Sequence, residues 1–115
     1  MPPLPNRGEI WLADLNPTRS HEHAEARPVL VVSTNTFNHG PADLVFVLPV
    51  THTERRIPIH VLIEPPEGGV SAQSYIVCDA LRSITKDRLG PRAQGSVSAA
   101  TLRKVADNLR ILIEL

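Results

Sequence analysis

Residues 7–33 read RGEIWLADLNPTRSHEHAEARPVLVVS. Two short apolar segments, one built around Ile10, Trp11 and Leu12 and the other covering 29–32, are joined by a polar loop, and the second begins at Arg27-Pro28. Short runs of Val, Ile and aromatic residues bounded by Asn-Pro and Ser signals predict strands, because a helix needs a longer stretch and a 3.6-residue period. Residues 29–32 are apolar without alternation, so this strand is expected to be covered on both faces.

The same texture continues outward from this stretch. Strands are expected over 9–15, 28–33, 44–50, 57–63 and 74–78, with 81–84 a candidate for one more, separated by Asn-Pro, His-Gly-Pro, Glu-Arg-Arg and Pro-Pro-Glu-Gly-Gly signals. Near the C-terminus the period changes. Leu102, Val105, Ala106, Leu109, Leu112 and Ile113 recur at helical spacing with Arg103, Lys104, Asp107 and Arg110 between them, which predicts an amphipathic helix. Ser98 suits its N-cap and Gly95 separates it from the preceding strand. The expected fold is mainly β with a C-terminal α-helix, a small barrel or sandwich forming one domain over 1–115, with the helix across one mouth.

Composition narrows the function classes. At 115 residues with 42% hydrophobic content the chain supports one modest core. Its formal net charge of +0 gives no global attraction to nucleic acid or membrane, so any anion site must be local. Cys78 is the single cysteine, which excludes an intrachain disulfide framework and multi-cysteine zinc patterns and agrees with a reducing cytoplasm. Neither a leader-like start nor a run long enough to span a bilayer is present, and the protein is expected to be intracellular.

Pro49 cannot donate to a ladder, so the third strand is expected to end or bulge there, leaving Thr51 at a rim. Pro28 restricts Arg27 to an extended backbone at the start of the second strand. A guanidinium fork and a hydroxyl brought to one edge could hold a phosphate. Taken alone, the same two residues also fit a surface ion pair and a satisfied strand end.

The string Arg7-Gly8-Glu9-Ile10-Trp11, then Asp14-Leu15-Asn16-Pro17-Thr18, Glu22, Arg27-Pro28, Ser33, Asn38 and Pro49-Val50-Thr51 resembles the MazF/PemK (also Kid) toxins of bacterial toxin-antitoxin modules. The likeness continues through Gly69-Val70, Asp79, Ile84, Arg88-Leu89 and Gly95-Ser96-Val97 into the terminal helix. It implies an SH3-like barrel, a homodimer, and a metal-independent, cofactor-free endoribonuclease cutting single-stranded RNA at short sequences to 2',3'-cyclic phosphate and 5'-hydroxyl ends. A small antitoxin, with an acidic and apolar tail folding into the RNA groove, is the implied partner. On this resemblance Arg27 is the catalytic arginine, Thr51 assists it, and Glu22 helps form the RNA site. His21, Asn38, Phe37, Asp79 and Arg82 are expected to complete the substrate-binding surface, Phe37 by stacking on a base.

An arginine is a poor base, so His21 or His52 is a candidate for proton transfer, although the residues taken alone read first as solvated loop histidines; His23 shares the loop of His21. No metal is expected, since His21-Glu22-His23 stands without a further ligand cluster. Several positions depart from the family pattern. Ser20 and Glu25 stand where members often have glycine, and Thr53 and Ala80 where many have glutamine, so the cut sequence does not carry over. Arg82, Lys86, Arg88 and Arg92 form the one basic stretch, suited either to lining the groove or to a solvated turn. Trp11 and Phe46 are expected in the core. The competing readings are a gyrase-gripping toxin of the CcdB type, which shares the barrel in outline, and a degenerate module that binds RNA or an antitoxin without turnover.

Overall fold

The computed structural model of the protein describes residues 4–15 and 26–115. Strands β1 (Glu9–Asp14), β2 (Ala26–Val31) and β3 (Leu44–Thr51) are followed by β4 (Val61–Ile63), β5 (Ser74–Ile76), β6 (Arg82–Thr85) and β7 (Leu89–Ser96), with a one-turn helix α1 (Asn35–Asn38) after β2 and a long helix α2 (Ala99–Ile113) last. The sheet runs β4-β5-β3-β2-β1-β7 with β6 also paired to β3, antiparallel throughout. The edge strands β4 and β7 are not paired with one another, so the expected barrel is open along that seam.

β2 is covered on both faces, as its unbroken apolar run predicts. Val29 and Val31 enter one cluster with Trp11, Ala13, Val45, Val47, Ile84 and Leu89, whereas Leu30 points the other way into a cluster with Ile10, Leu48, Ile63, Ile76 and Val105. Alternation on the neighbouring strands explains this split. Trp11 is buried, and its indole Nε1 donates to the Glu9 carboxylate two residues back on the same face, at 3.0 Å. Phe46 is a correction: one step out of phase with Val45 and Val47, it is 38% exposed rather than a core residue.

Pro49 does not end β3. The strand continues to Thr51 and exchanges partners around the proline, pairing with β6 over Leu44–Val47 and with β5 at Val50 and Thr51. On that side Pro49 has no strand residue opposite it, so its missing donor breaks no ladder pair. Residues 57–60 are not strand; β4 begins only at Val61, after a turn in which His60 N donates to Ile57 O at 3.0 Å.

Helix α2 begins where the sequence places it. Ser98 accepts a hydrogen bond from Thr101 N at 3.1 Å, and the helix lays Leu102, Val105 and Leu109 over the Leu30 cluster. Glu67 secures the same turn, its Oε2 accepting from Ser98 N at 2.9 Å and Thr101 Oγ1 at 2.5 Å. Burial pushes the Glu67 pKa up, but the bonds from Thr101 and Ser98 and the nearby Lys104 charge outweigh it, so the carboxyl titrates below its ordinary 4.5. A lowered folded-state pKa adds stability that is fully present above the unfolded value and lost as pH falls through the folded one. Glu67→Gln should therefore lower stability by ~1–2 kcal/mol at neutral pH and flatten the acid limb of a Tm-against-pH series.

Cys78 is buried, and burial pushes its thiol pKa up, with the Asp79 charge adding to this and the Asn108 amide at 3.9 Å opposing it. The thiol should resist iodoacetamide in the native protein and react at once in denaturant, as mass spectrometry would read.

Candidate functional site

The β2–β3 register pairs Val31 with Val47, Leu30 with Leu48 and Val29 with Pro49. Pro28 has no N–H to carry the ladder further, and the same register extended by two residues sets Arg27 opposite Thr51. Directly opposed residues share a face and their strands lie about 5 Å apart, so the guanidinium and hydroxyl can reach one phosphate. Arg27 also pairs with Ala13 on β1, and Thr51 with Tyr75 on β5, which in turn faces Leu62 on β4. One row thus crosses five strands, with Arg27 exposed, Thr51 half-buried and flanked by small or apolar neighbours. Thr51 Oγ1 accepts from Thr53 N at 3.1 Å, which leaves its own O–H as a donor for a ligand.

Beyond Thr51 a groove of ≈350 Å³ opens between the strand ends and the segment that leads to β4, lined by Thr51, Arg55, Ile57, His60, Asp79 and Ala80 among others. Asp79 Oδ1 lies 3.1 Å from His60 Nε2. His60 and Arg55 carry no motif signal in the sequence. His60 sits 19 residues from its carboxylate partner, and Arg55 lies in what reads as a turn; its adjacency to Pro49-Val50-Thr51 was the available hint.

The other expected site residues divide. Arg82 is exposed and pairs with Val47, so it shares the face of Thr51 some four residues, about 13 Å, back along β3. His52 is exposed just past the end of β3, with Nδ1 at 3.3 Å from both Gln73 O and Ser74 Oγ. It lines a different pocket from Thr51, ≈220 Å³, shared with Leu12, Pro28, Val70 and Gln94. His21, Glu22 and His23, with Ser20 and Glu25, lie outside the described residues.

Two of the expected site residues stand apart from this row. Asn38 is fully buried and its amide Nδ2 donates to Ser33 O at 2.9 Å, while Ser33 Oγ donates to its Oδ1, so it pins the β2–β3 connection and offers nothing to a ligand. Phe37 packs on Phe46 with ring centroids 5.5 Å apart. Phe46 stands five residues before Thr51 on the alternate face of β3, which sets this aromatic pair roughly 17 Å from the Arg27 row. A base stacked there would belong to a distant nucleotide. The basic stretch also breaks up. Lys86 is buried with Nζ 3.5 Å from Gly40 O, and Arg88 donates to Asp14 O at 3.2 Å, leaving Arg82 and Arg92 as its exposed cations.

Comparison with known proteins gives a consistent result. Residues 6–113 match the family described as PemK-like, MazF-like toxin of type II toxin-antitoxin system. The endoribonuclease MazF9 of Mycobacterium tuberculosis is 34% identical over 114 residues, covering 95% of this chain and 96% of that protein. A mycobacterial endoribonuclease solved in complex with its cognate antitoxin superposes with a TM-score of 0.79 at 30% identity, covering 96% of each chain. MazF from Deinococcus radiodurans gives a TM-score of 0.78 at 27% identity over 98% of this chain and 99% of its own.

Proposed function

Since the chain belongs to the PemK-like, MazF-like toxins of type II toxin-antitoxin systems, we propose that it cuts single-stranded RNA at the row in which Arg27 faces Thr51. The protein is an endoribonuclease toxin, and the similarity to a named endoribonuclease over nearly its whole length favours this over a gyrase-binding role. The register that opposes an exposed guanidinium to a strand-end hydroxyl is the observation that carries the site.

In the proposed reaction the ribose 2'-oxygen attacks its own phosphorus. The P–O2' bond forms, the P–O5' bond breaks, the 2'-hydroxyl proton leaves and the departing 5'-oxygen takes one up. The products are a 2',3'-cyclic phosphate and a 5'-hydroxyl. Negative charge builds on the non-bridging oxygens, where Arg27 offers two parallel donors and Thr51 a third. A guanidinium is a poor proton acceptor, so we assign proton transfer to a histidine, either His52 just past the row or His21, which lies outside the described residues. His52 has Nδ1 against Gln73 and Ser74, leaving Nε2 to exchange a proton. A pH–rate profile left unchanged by both His21→Ala and His52→Ala would remove them from this role.

Nothing in these roles draws on a metal, so cutting should persist in EDTA. The test is incubation of purified protein with a long single-stranded RNA in EDTA and mapping of both ends at each cut. Specific cuts with 5'-hydroxyl and cyclic phosphate ends support the reading; intact RNA, or ends with 5'-phosphate, refutes it.

A cognate antitoxin is the partner, as in the mycobacterial complex, and its tail is proposed to occupy the RNA groove. An antitoxin that binds while cutting continues undiminished would defeat the shared-groove account. Self-association as a homodimer has support at the end of α2 and just past it, where Ile111, Ile113 and Leu115 are 70%, 54% and 84% exposed. No helix among the described residues is long and apolar enough to cross a membrane, and action on RNA supports a cytoplasmic location.

A further inference from the structure

His60 is unusual among the described residues. Its side chain is 3% exposed, and its Nδ1 is a buried polar nitrogen without a hydrogen-bond partner. An apolar side chain would fill the same space without that penalty, so retention of an imidazole calls for a reason. The reason on the page is Nε2, which meets Asp79 Oδ1 at 3.1 Å. The enclosed ring cannot swing away, whereas the Asp79 side chain is 44% exposed at the wall of the Thr51 groove. One carboxylate oxygen is therefore tied down, while the half-exposed side chain as a whole lines the groove.

A carboxylate beside Thr51 repels phosphate. What it attracts is N–H, and in RNA the N–H donors sit on the base edges. Cytosine N4, adenine N6 and the guanine N1 and N2 edge all donate, whereas uracil sets two carbonyl oxygens around its one N3–H. Ile57 and Ala80 on the same groove give an apolar, uncrowded surface for a base plane, and Arg55 brings a cation within reach of the adjoining phosphate. We propose that Asp79, positioned by His60, is a specificity subsite beside Thr51 that accepts a hydrogen bond from a nucleobase carrying an amino group and disfavours uracil. This rests on the endoribonuclease reading above and assigns to it one determinant of the cut sequence.

The experiment is cut-site profiling on a randomised single-stranded RNA pool with wild-type protein, Asp79→Asn, His60→Ala and His60→Gln, each checked for folding by its thermal transition. Wild type should discriminate against uracil at one position near the cut. Asp79→Asn, a surface change whose amide can also donate, should relax that discrimination at least tenfold at that position alone. His60→Ala should shift it in the same direction, and His60→Gln, still able to donate to the carboxylate, should restore it. For a variant that no longer cuts, the relative affinity for 2'-deoxy oligonucleotides differing only at that base supplies the same ratio. A base profile identical in wild type and Asp79→Asn overturns the subsite while leaving the nuclease intact. Wild-type protein that cuts no RNA overturns the nuclease reading and the subsite with it.

Discussion

Arg27→Ala should lower the rate of RNA cleavage by about 100- to 1000-fold, close to 3 kcal/mol of transition-state stabilisation, with the fold unchanged. Arg27 is exposed at the start of β2 and supports neither apolar cluster, so its loss removes charge stabilisation without opening a cavity. The loss should appear in kcat under single-turnover conditions, because the non-bridging oxygens gain charge only as the cyclic phosphate forms. Arg27→Lys should recover little, since an ammonium cannot span two oxygens with a planar fork. Thr51→Ala should cost less, on the order of tenfold, since it removes one neutral donor. Arg82→Ala, further along the same face, should change mainly the salt dependence of binding. Equal losses in Arg27→Ala, Thr51→Ala and Arg82→Ala would mean that the row is a general anion patch without a reacting centre.

The second large effect concerns stability. Gly95→Ala should destabilise the protein by about 2–3 kcal/mol, read from urea unfolding, while Gly90→Ala on the same strand should stay within about 0.5 kcal/mol. A Cβ at Gly95 would stand 2.6 Å from Gly69 N and 2.7 Å from Gly68 C, both backbone atoms that cannot yield. At Gly90 the nearest atom would be Leu12 O at 3.4 Å, an ordinary contact. Gly68 and Gly69 themselves adopt φ of 65° and 75°, so the turn that presses on β7 is made of residues able to take left-handed backbone at little cost.

The parts of this fold that were legible in sequence are those where one physical signal dominates. The unbroken apolar run at 29–32 announced a strand between two cores, and Ser98 ahead of a helical period announced α2. β7 was missed because LGPRAQGS carries one large apolar residue, Leu89, and a proline. Its place at the sheet edge, paired only with β1 through an irregular register, tolerates both. β4 came out shorter than expected since Pro58 and the turn at His60 use up the approach to it. In the site, Arg27 and Thr51 were legible through their prolines. Asp79 and His60 were not legible as a pair, because a contact made across the end of a sheet leaves no spacing in the chain.

The pairing of β1 with β7 also bears on when the toxin becomes dangerous. β1 lies near the start of the chain and β7 near its end, and both apolar clusters stay incomplete until Leu89, Val97 and Val105 arrive. A polypeptide still emerging from the ribosome carries Arg27 and Thr51 early, yet lacks the late strand and helix that hold their scaffold together. The segment from Leu89 to Ile113 must therefore be made and docked before the Arg27–Thr51 row has its full scaffold, so cutting should appear only once that late segment has folded.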